Sequence, residues 1–344
     1  MKVFVTGGCG FLGSHVCEYY VQRGDAVVSY DNMTKHELNR TGYRTDDVRR
    51  HNADHLRGIG VELVTADVRN YEELVDHAHG CDYIIHTAAQ PAMTISCEDP
   101  RLDMTTNVMG TFNVLEAARR LTVPVASCAT VHVYGNAIND TLKEGDKRYL
   151  RGSPDIDENH PTLGGVLTPL HASKASADVY VKTYIDTYGL EAASFRLTGI
   201  YGPRQFGGED HGWVAHFAIS GVLGRPITLF GSGKQVRDIV YATDVCEAFH
   251  AFYVSRKAGV YNIGGGAPNA LSLLECLDIL RDIVGNQIRV DHAPDRLGDL
   301  RYFVCDVAKA RAALGWSPRI TPRQGIVRLV EWIQENKKLF VGAK

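Results

Sequence analysis

Little in this chain departs from balance, and each absence removes a class of function. Lysine and arginine (37) nearly cancel aspartate and glutamate (40), leaving a formal net charge of −3. Without a global basic field, neither nucleic acid nor a membrane surface is expected as a partner, and any phosphate must be held locally. No apolar run reaches the roughly 18–20 residues that span a bilayer. The eight cysteines are scattered with no C-x-x-C pair, so neither a disulfide framework nor a zinc site is suggested, and no metal is expected. Several lie in apolar runs, as small core residues do. No internal repeat or low-complexity tract appears. The chain opens with Met-Lys-Val-Phe-Val-Thr and runs straight into a glycine motif. That leaves no room for a signal peptide, and a reducing cytoplasm is the expected compartment.

What is present is the composition of an ordinary globular protein of 344 residues, 44% hydrophobic and 22% charged. Short runs rich in β-branched residues at 2–6, 26–30, 61–65, 82–86, 123–128 and 192–196 alternate with helix-length segments at 11–22, 71–78, 103–121 and 169–188. Such alternation predicts an α/β fold, a Rossmann-type doubly wound parallel sheet with helices on both faces. Later the rhythm changes, with short strands at 227–230 and 260–263 and helices at 213–223, 243–254, 272–284 and 322–336. Ser272, three residues before Glu275, reads as a capping box. We therefore expect a dinucleotide-binding domain over 1–196, including the helix 169–188, and a smaller mixed α/β substrate lobe over 197–344, the chain interleaving between them. The glycine- and proline-rich stretch 139–168 is the longest expected loop and a candidate lid.

Gly7-Gly8-Cys9-Gly10-Phe11-Leu12-Gly13 follows the first strand and opens the first helix. Glycines at 7, 10 and 13 let the backbone turn tightly and approach a pyrophosphate at the helix N-terminus. Asp31 ends the second strand, where a carboxylate accepts from ribose hydroxyls and repels the extra phosphate of NADP. Asn32 and Met33 follow without a nearby arginine, which favours NAD, although Lys35 weighs the other way. Asp67 and Val68, after the third strand, are placed to meet adenine. The small residues Thr87, Ala88 and Ala89 follow the fourth strand and let backbone lie close to the cofactor. Asn107 reads equally as a buried helix-to-strand tie or as a functional group.

The Gly7–Gly13 motif, His86-Thr87-Ala88-Ala89, Tyr134-Gly135, Lys174 and Tyr201-Gly202-Pro203-Arg204-Gln205 together resemble the extended short-chain dehydrogenase/reductase superfamily, in its branch of nucleotide-sugar epimerases and dehydratases. More narrowly, Gln90-Pro91-Ala92-Met93-Thr94, His211-Gly212-Trp213-Val214 and Lys234-Gln235-Val236-Arg237-Asp238 are similar to the CDP-tyvelose (CDP-paratose) 2-epimerase group. The resemblance implies an enzyme with tightly held NAD, a nucleoside-diphosphate-sugar substrate, a transient ketosugar with hydride returned to its other face, and a homodimer paired through the helices 103–121 and 169–188. It also implies a tyrosine that takes the hydroxyl proton, a lysine that lowers the tyrosine's pKa and binds the nicotinamide ribose, and a Ser or Thr that donates to the sugar oxygen. Lys174 and Thr130 match the last two.

The tyrosine is missing. Leu170 stands four residues before Lys174, in Thr168-Pro169-Leu170-His171-Ala172-Ser173-Lys174, and leucine cannot transfer a proton. Three readings follow. Another group acts as base, either His132 near the end of the fifth strand or His171, which points about 100° around the helix from position 170. Alternatively Lys174, Thr130 and water suffice. Or the chemistry is not epimerisation: a dehydratase, a ketosugar reductase, or a chain that binds without turning over. A dehydratase usually carries an acid pair after the threonine, and Val131-His132 supplies no carboxylate. On the substrate side, Arg204, Arg237, Arg296 and Arg301 match or neighbour the family's diphosphate contacts. Met93 and Thr94 would face the sugar, and Trp213 would lie over a base or sugar or pack in the core. Asp238 and Asp244 read as ties between lobes.

Overall fold

The computed structural model describes residues 1–152, 155–285, 288–296 and 298–341. Its centre is a seven-stranded parallel sheet. From one edge to the other the strands are Gly259–Ile263, Ala192–Leu197, Val125–Thr130, Tyr83–His86, Lys2–Thr6, Ala26–Asp31 and Glu62–Thr65. The order reverses between the strands at 2–6 and 83–86, which run side by side from Val3 opposite Tyr83 to Thr6 opposite His86. At such a switch point the helices on either side diverge, so a crevice opens beyond the carboxyl ends of the strands. The strands are nearly continuous runs of buried residues because both faces are covered: Val3, Phe4, Val5, Ile84, Ile85, Val125 and Phe195 are all fully buried.

The helices Phe11–Gln22, Tyr71–Ala78 and Pro169–Tyr188 form where the sequence places them. The segment expected as one helix over 103–121 is instead an α turn at Pro100–Met104, a π-helical turn at Thr105–Met109 and an α-helix at Gly110–Leu121. The π turn has a local cause. It swings buried Asn107 into the gap behind residues 87–92, where its amide donates to the Gln90 carbonyl at 3.0 Å and accepts from the Gln90 N–H at 2.9 Å. The same amide reaches Asp103 at 2.9 Å and Ser173 at 3.2 Å. Asn107 is thus a structural tie, and the wide turn is the deformation that satisfies it.

The second sheet system is smaller. Val236–Tyr241 pairs with Ala270–Ser272, Tyr302–Phe303 and Gly199–Tyr201, and the helices Trp213–Leu223, Leu273–Val284 and Pro322–Glu335 pack about it. The capping box at Ser272 and Glu275 is formed. The strand expected in this lobe at 260–263 belongs elsewhere: Gly259–Ile263 pairs with Ala192–Leu197 and closes one edge of the large sheet. Its helix, Ala242–Ser255, lies on that sheet too, with Phe249 and Phe252 in the core against Phe195. Five residues cannot bury both faces alone, so a short apolar strand joins the larger sheet.

The stretch 139–168 is not a free lid. It carries a hairpin of Leu142–Glu144 with Tyr149–Arg151, and Ile156 and Gly164 bridge to Cys305 and Gly135. Asn262 donates to the Ile156 carbonyl at 2.9 Å and its N–H to the Glu158 carboxylate at 2.7 Å. Asp238 and Asp244 act as expected. Asp238 accepts from the Gly266 N–H at 3.0 Å and from the Cys305 thiol at 3.1 Å. Asp244 accepts from the N–H groups of Arg319 and Ile320, each at 3.0 Å.

Candidate functional site

One cleft of about 1250 Å³ runs from the carboxyl ends of the strands into the second sheet system. Pockets for drug-sized ligands hold ~300–1,000 Å³, so this one has room for two large molecules. Its two ends have different chemistry.

At one end lies the glycine turn. Gly7 adopts φ 71, and a Cβ there would lie 2.6 Å from the backbone nitrogen of Ala88. A Cβ on Gly13 would lie 2.1 Å from the Gly7 carbonyl oxygen. Gly7, Gly10, Phe11 and Leu12 line the cleft, whereas Gly13 does not; it lets the first helix sit against the turn. The helix is capped by Gly10 with no side chain on its first N–H groups, which leaves them for a pyrophosphate.

Of the other residues expected at the cofactor, Asp31, Asn32, Asp67, Val68, Thr87, Ala88 and Ala89 also line the cleft, and Lys174 does not. The Asp31 carboxylate accepts from the N–H groups of Cys9 at 3.0 Å and Met33 at 2.7 Å, and burial pushes its pKa up. Asp67 accepts from Asn32 at 2.8 Å and pairs with Arg69 at 2.7 Å, which holds its carboxyl down at about 2. Lys35 does not present its charge as a phosphate site: it is buried, and its ammonium donates to the Cys9 carbonyl at 2.9 Å. A carboxylate at Asp31 and a lysine committed to the glycine turn fit NAD.

Thr130, His132 and Leu170 all line the cleft as well. Thr130 ends its strand, and its hydroxyl accepts from the N–H of His132 at 3.3 Å, starting the short 3-10 helix Val131–Tyr134. Leu170 is buried in the wall at the second position of its helix, held by its N–H donating to Ser96 at 3.2 Å. His132 lines the cleft; its Nδ1 is buried without a partner, and burial, with His171 and Arg237 nearby, lowers its pKa to about 3.

Lys174 and His171 do not line the cleft. The Lys174 ammonium makes no hydrogen bond or ion pair among the described residues, and its pKa is lowered by burial, with Cys128 and Asp103 opposing. His171 is fully buried as the third residue of its helix, where it closes a capping box: its Nδ1 accepts from the Thr168 N–H at 3.1 Å. It is a cap, which is why it stands off the cleft.

Away from the glycine turn the cleft is lined by Met93, Thr94, Trp213, Arg237 and Arg296, and Arg204 lines it beside the first helix. Arg237 donates to Asp299 at 3.1 Å. Arg296 stacks on Phe230 at 3.7 Å and donates to the Glu209 carbonyl at 2.8 Å. Trp213 starts its helix with its ring edge on Phe217. The Thr94 hydroxyl links Arg40 at 2.7 Å to Asp210 at 3.0 Å. Two expectations for this end change. Arg301 lies outside the cleft, paired with Asp295 at 2.8 Å on the surface. Arg204, though at the wall, spends its guanidinium on Glu18 at 2.7 Å and Ser14 at 3.0 Å, tying the 202–206 turn to the first helix.

The sequence reading missed a set of buried acceptors in the same wall. Gln205 donates to the Ile200 carbonyl at 3.1 Å and Gln235 to the Phe230 carbonyl, so each amide turns its oxygen to where nothing meets it. The Thr198 hydroxyl and His216 Nε2 are likewise buried and unpartnered, and all four residues line the cleft. The signal was present: both glutamines stand inside motifs noticed for their arginines. Among the described residues, no three His, Cys, Asp or Glu side chains cluster to hold a metal ion, and no helix is long and apolar enough to cross a membrane.

Comparison with known proteins agrees with this geometry. Residues 3–264 match the NAD dependent epimerase/dehydratase family. The chain is 34% identical to a CDP-paratose 2-epimerase of Salmonella typhi, over 96% of this chain and 99% of that protein. Its fold matches the UDP-glucose 4-epimerase of Thermus thermophilus solved with NAD, with a TM-score of 0.79, 32% identity and 97% and 99% of the two chains covered. It also matches a UDP-glucuronic acid 4-epimerase of Bacillus cereus solved with UDP-glucuronic acid and NAD, with a TM-score of 0.81, 25% identity and coverage of 98% and 100%. NAD is therefore the cofactor, and the chain belongs to the NAD dependent epimerase/dehydratase family.

Proposed function

We propose that this chain is a nucleotide-sugar epimerase that inverts a hydroxyl-bearing ring carbon through a transient ketosugar, on a nucleoside-diphosphate sugar of the kind CDP-paratose 2-epimerase handles. The observation that carries it is one cleft with a glycine turn and Asp31 at one end and Arg237 and Arg296 at the other. Bound NAD supplies the hydride acceptor for oxidation of the sugar carbon and the hydride donor for its reversal.

The chain's own groups divide the remaining work. Gly7, Gly10, Phe11 and Leu12 take the pyrophosphate; Asp31, with Asn32, takes the adenosine ribose; Asp67 and Val68 border the adenine; Thr87, Ala88 and Ala89 floor the nicotinamide half. Lys174, a half-buried ammonium with no partner among the described residues, is assigned to the nicotinamide ribose. Arg237 and Arg296 take the diphosphate. Met93, Thr94, Thr130 and Trp213 border the sugar and base. Removing water from such a wall strengthens each hydrogen bond to the reacting oxygen. Residues 1–196 with the strand Gly259–Ile263 serve the dinucleotide, and the remainder serves the nucleotide sugar. A homodimer is part of the proposal: Met104, Met109, Val179 and Tyr180 are exposed on the helices expected to pair.

Leu170 favours one rival, a chain that binds NAD and nucleotide sugar without turning over. One experiment separates them. The purified protein is incubated with CDP-, UDP-, GDP-, ADP- and dTDP-sugars, and product stereochemistry is read by NMR. An inverted ring carbon without net NADH change supports epimerisation. Binding without product supports the rival, a 4-keto-6-deoxy product a dehydratase, and net NADH consumption a reductase.

A further inference from the structure

Asp210 stands in the cleft wall between two guanidinium groups. Its carboxylate lies 3.6 Å from Arg40 and 3.7 Å from Arg296, and it accepts from the Thr94 hydroxyl at 3.0 Å. Arg40, which ends the 3-10 turn His36–Arg40, donates to that same hydroxyl at 2.7 Å and pairs with Glu98, one helical turn beyond Thr94 on the helix Met93–Glu98. The loop that carries Asp210 is pinned. Tyr43 donates to the Gly207 carbonyl, Gly208 and His211 form a bridge, and His211 Nε2 donates to the Phe206 carbonyl at 3.1 Å. Thr94, Glu98, Asp210 and Arg296 line the cleft, and Ser96 of the same helix accepts the Leu170 N–H at 3.2 Å, which sets that helix against the Leu170 wall.

These partners decide what Thr94 can offer. A guanidinium only donates and a carboxylate only accepts, so the Thr94 proton goes to Asp210 and one lone pair of its oxygen to Arg40. The hydroxyl keeps one lone pair and no proton. Charge is balanced within the cluster as well: Arg40 and Arg296 stand against Glu98 and Asp210. Once Arg296 turns to a diphosphate, what remains is net negative.

We propose that Arg40 and Asp210 are specificity-determining residues: acting through Thr94, they make the sugar subsite an acceptor that reads a free hydroxyl on a carbon that does not react, and they reject a sugar that carries a carboxylate there. This rests on the nucleotide-sugar reading and deepens it. Neither residue moves a proton; each acts on binding, through the oxygen it orients. A sugar hydroxyl facing Thr94 donates to the remaining lone pair. A uronate would set its own lone pairs against that oxygen with the Asp210 charge directly behind, a like-charge contact with no cation of the cluster left to relieve it.

Calorimetric titration of the NAD-loaded protein with UDP-glucose and UDP-glucuronate, or with the same two sugars on whichever nucleotide the chain binds, tests it. The native chain should bind the glucose form about 10-fold or more tightly than the glucuronate form. Asp210→Asn removes the negative charge and lets an amide N–H donate to Thr94, which turns the Thr94 proton toward the ligand, so the ratio should narrow by about 10-fold. Arg40→Gln removes a cation and should widen it. Movement in opposite directions is the signature, because a loop that was merely loosened would shift the ratio the same way in both variants. Thr94→Val keeps the shape without the hydroxyl and should weaken the glucose form by about 10-fold, while Thr94→Ser should stay within about 3-fold of native. Equal affinity of the native chain for the two sugars, or a ratio unmoved in Asp210→Asn, overturns the proposal and leaves the nucleotide-sugar reading standing. A native chain that binds no nucleotide sugar of the panel overturns that reading, and the proposal with it.

Discussion

Arg204 offers the sharpest test of whether a motif arginine serves the substrate or the fold. Its guanidinium donates to Glu18 at 2.7 Å and to Ser14 at 3.0 Å, with 9% of the arginine side chain and 25% of the glutamate side chain exposed. Replacing Arg204 by methionine keeps the stem and leaves Glu18, largely buried, with His55 at 3.1 Å as its remaining partner. Breaking a buried pair from one side costs ~3–5 kcal/mol, and the partial exposure of Glu18 places the cost near the lower figure. Unfolding entropy near 2.1 cal/mol/K per residue amounts to about 0.7 kcal/mol/K for a chain of this length, so about 3 kcal/mol lowers Tm by roughly 4 °C. Arg204 also holds φ 63, so Arg204→Gly loses the same pair but relieves backbone strain of order 1 kcal/mol, and should melt above the methionine variant. Calorimetry of both variants loaded with NAD, beside KM for the nucleotide sugar, decides the matter. An unchanged Tm with KM raised 100-fold would refute the structural assignment and return Arg204 to the diphosphate.

Other outcomes follow from the same geometry. Gly13→Ala places a methyl 2.1 Å from the Gly7 carbonyl oxygen; the turn must open, and the purified protein should carry under a tenth of the native NAD when denatured and assayed. Retained NAD would mean that the helix shifts without consequence. His15, His86 and His132 are each lowered to about 3 from 6.5, chiefly by burial. The unfolded chain therefore binds protons below pH 6.5 that the folded chain refuses. Stability should fall as pH drops from 6.5 toward 3, by about 1.4 kcal/mol per pH unit for each histidine once the unfolded form is charged. A urea midpoint flat between pH 7 and pH 5 would contradict their burial as neutral groups. Lys174→Met, an apolar stem of similar length, should weaken NAD retention at least 10-fold while leaving Tm of the cofactor-free chain within 2 °C, because the ammonium has no partner to lose among the described residues; a large drop in that Tm would show a structural role.

Much of this fold was legible because a parallel sheet covered on both faces needs unbroken β-branched runs, and the first strand, Lys2–Thr6, is such a run. What escaped was polar or borrowed. The helix Thr45–Gly58 buries only Val48, Asn52, Ala53 and Leu56 among charged neighbours, too thin an apolar stripe to announce a period. Gly259–Ile263 was assigned to the wrong sheet because a five-residue strand is defined by its partner, here Ala192–Leu197, which lies more than sixty residues earlier. The π turn at Thr105–Met109 was invisible for the same reason: the hydrogen bonds that Asn107 makes to Gln90 and Ser173 are tertiary.

The site was more legible than its wiring. Sequence position put Arg204 and Arg301 on an equal footing with Arg237, yet only a structure reveals that Glu18 and Asp295 have already claimed them. Arg237 is paired as well, with Asp299, so what separates the three is their place: Arg237 lines the cleft, Arg301 lies outside it, and Arg204 turns its guanidinium to the first helix. Leu170 shows the converse. A missing side chain is evident in the sequence, but the group that answers for it need not be near in the motif. His132 reaches that wall from another element, and it became distinct from His171 only when Thr168 was seen to occupy one nitrogen of the second ring and not of the first. Two histidines of equal standing in the sequence thus separate into a helix cap and a residue that lines the cleft by one hydrogen bond, and a spacing in the sequence carries no trace of that bond.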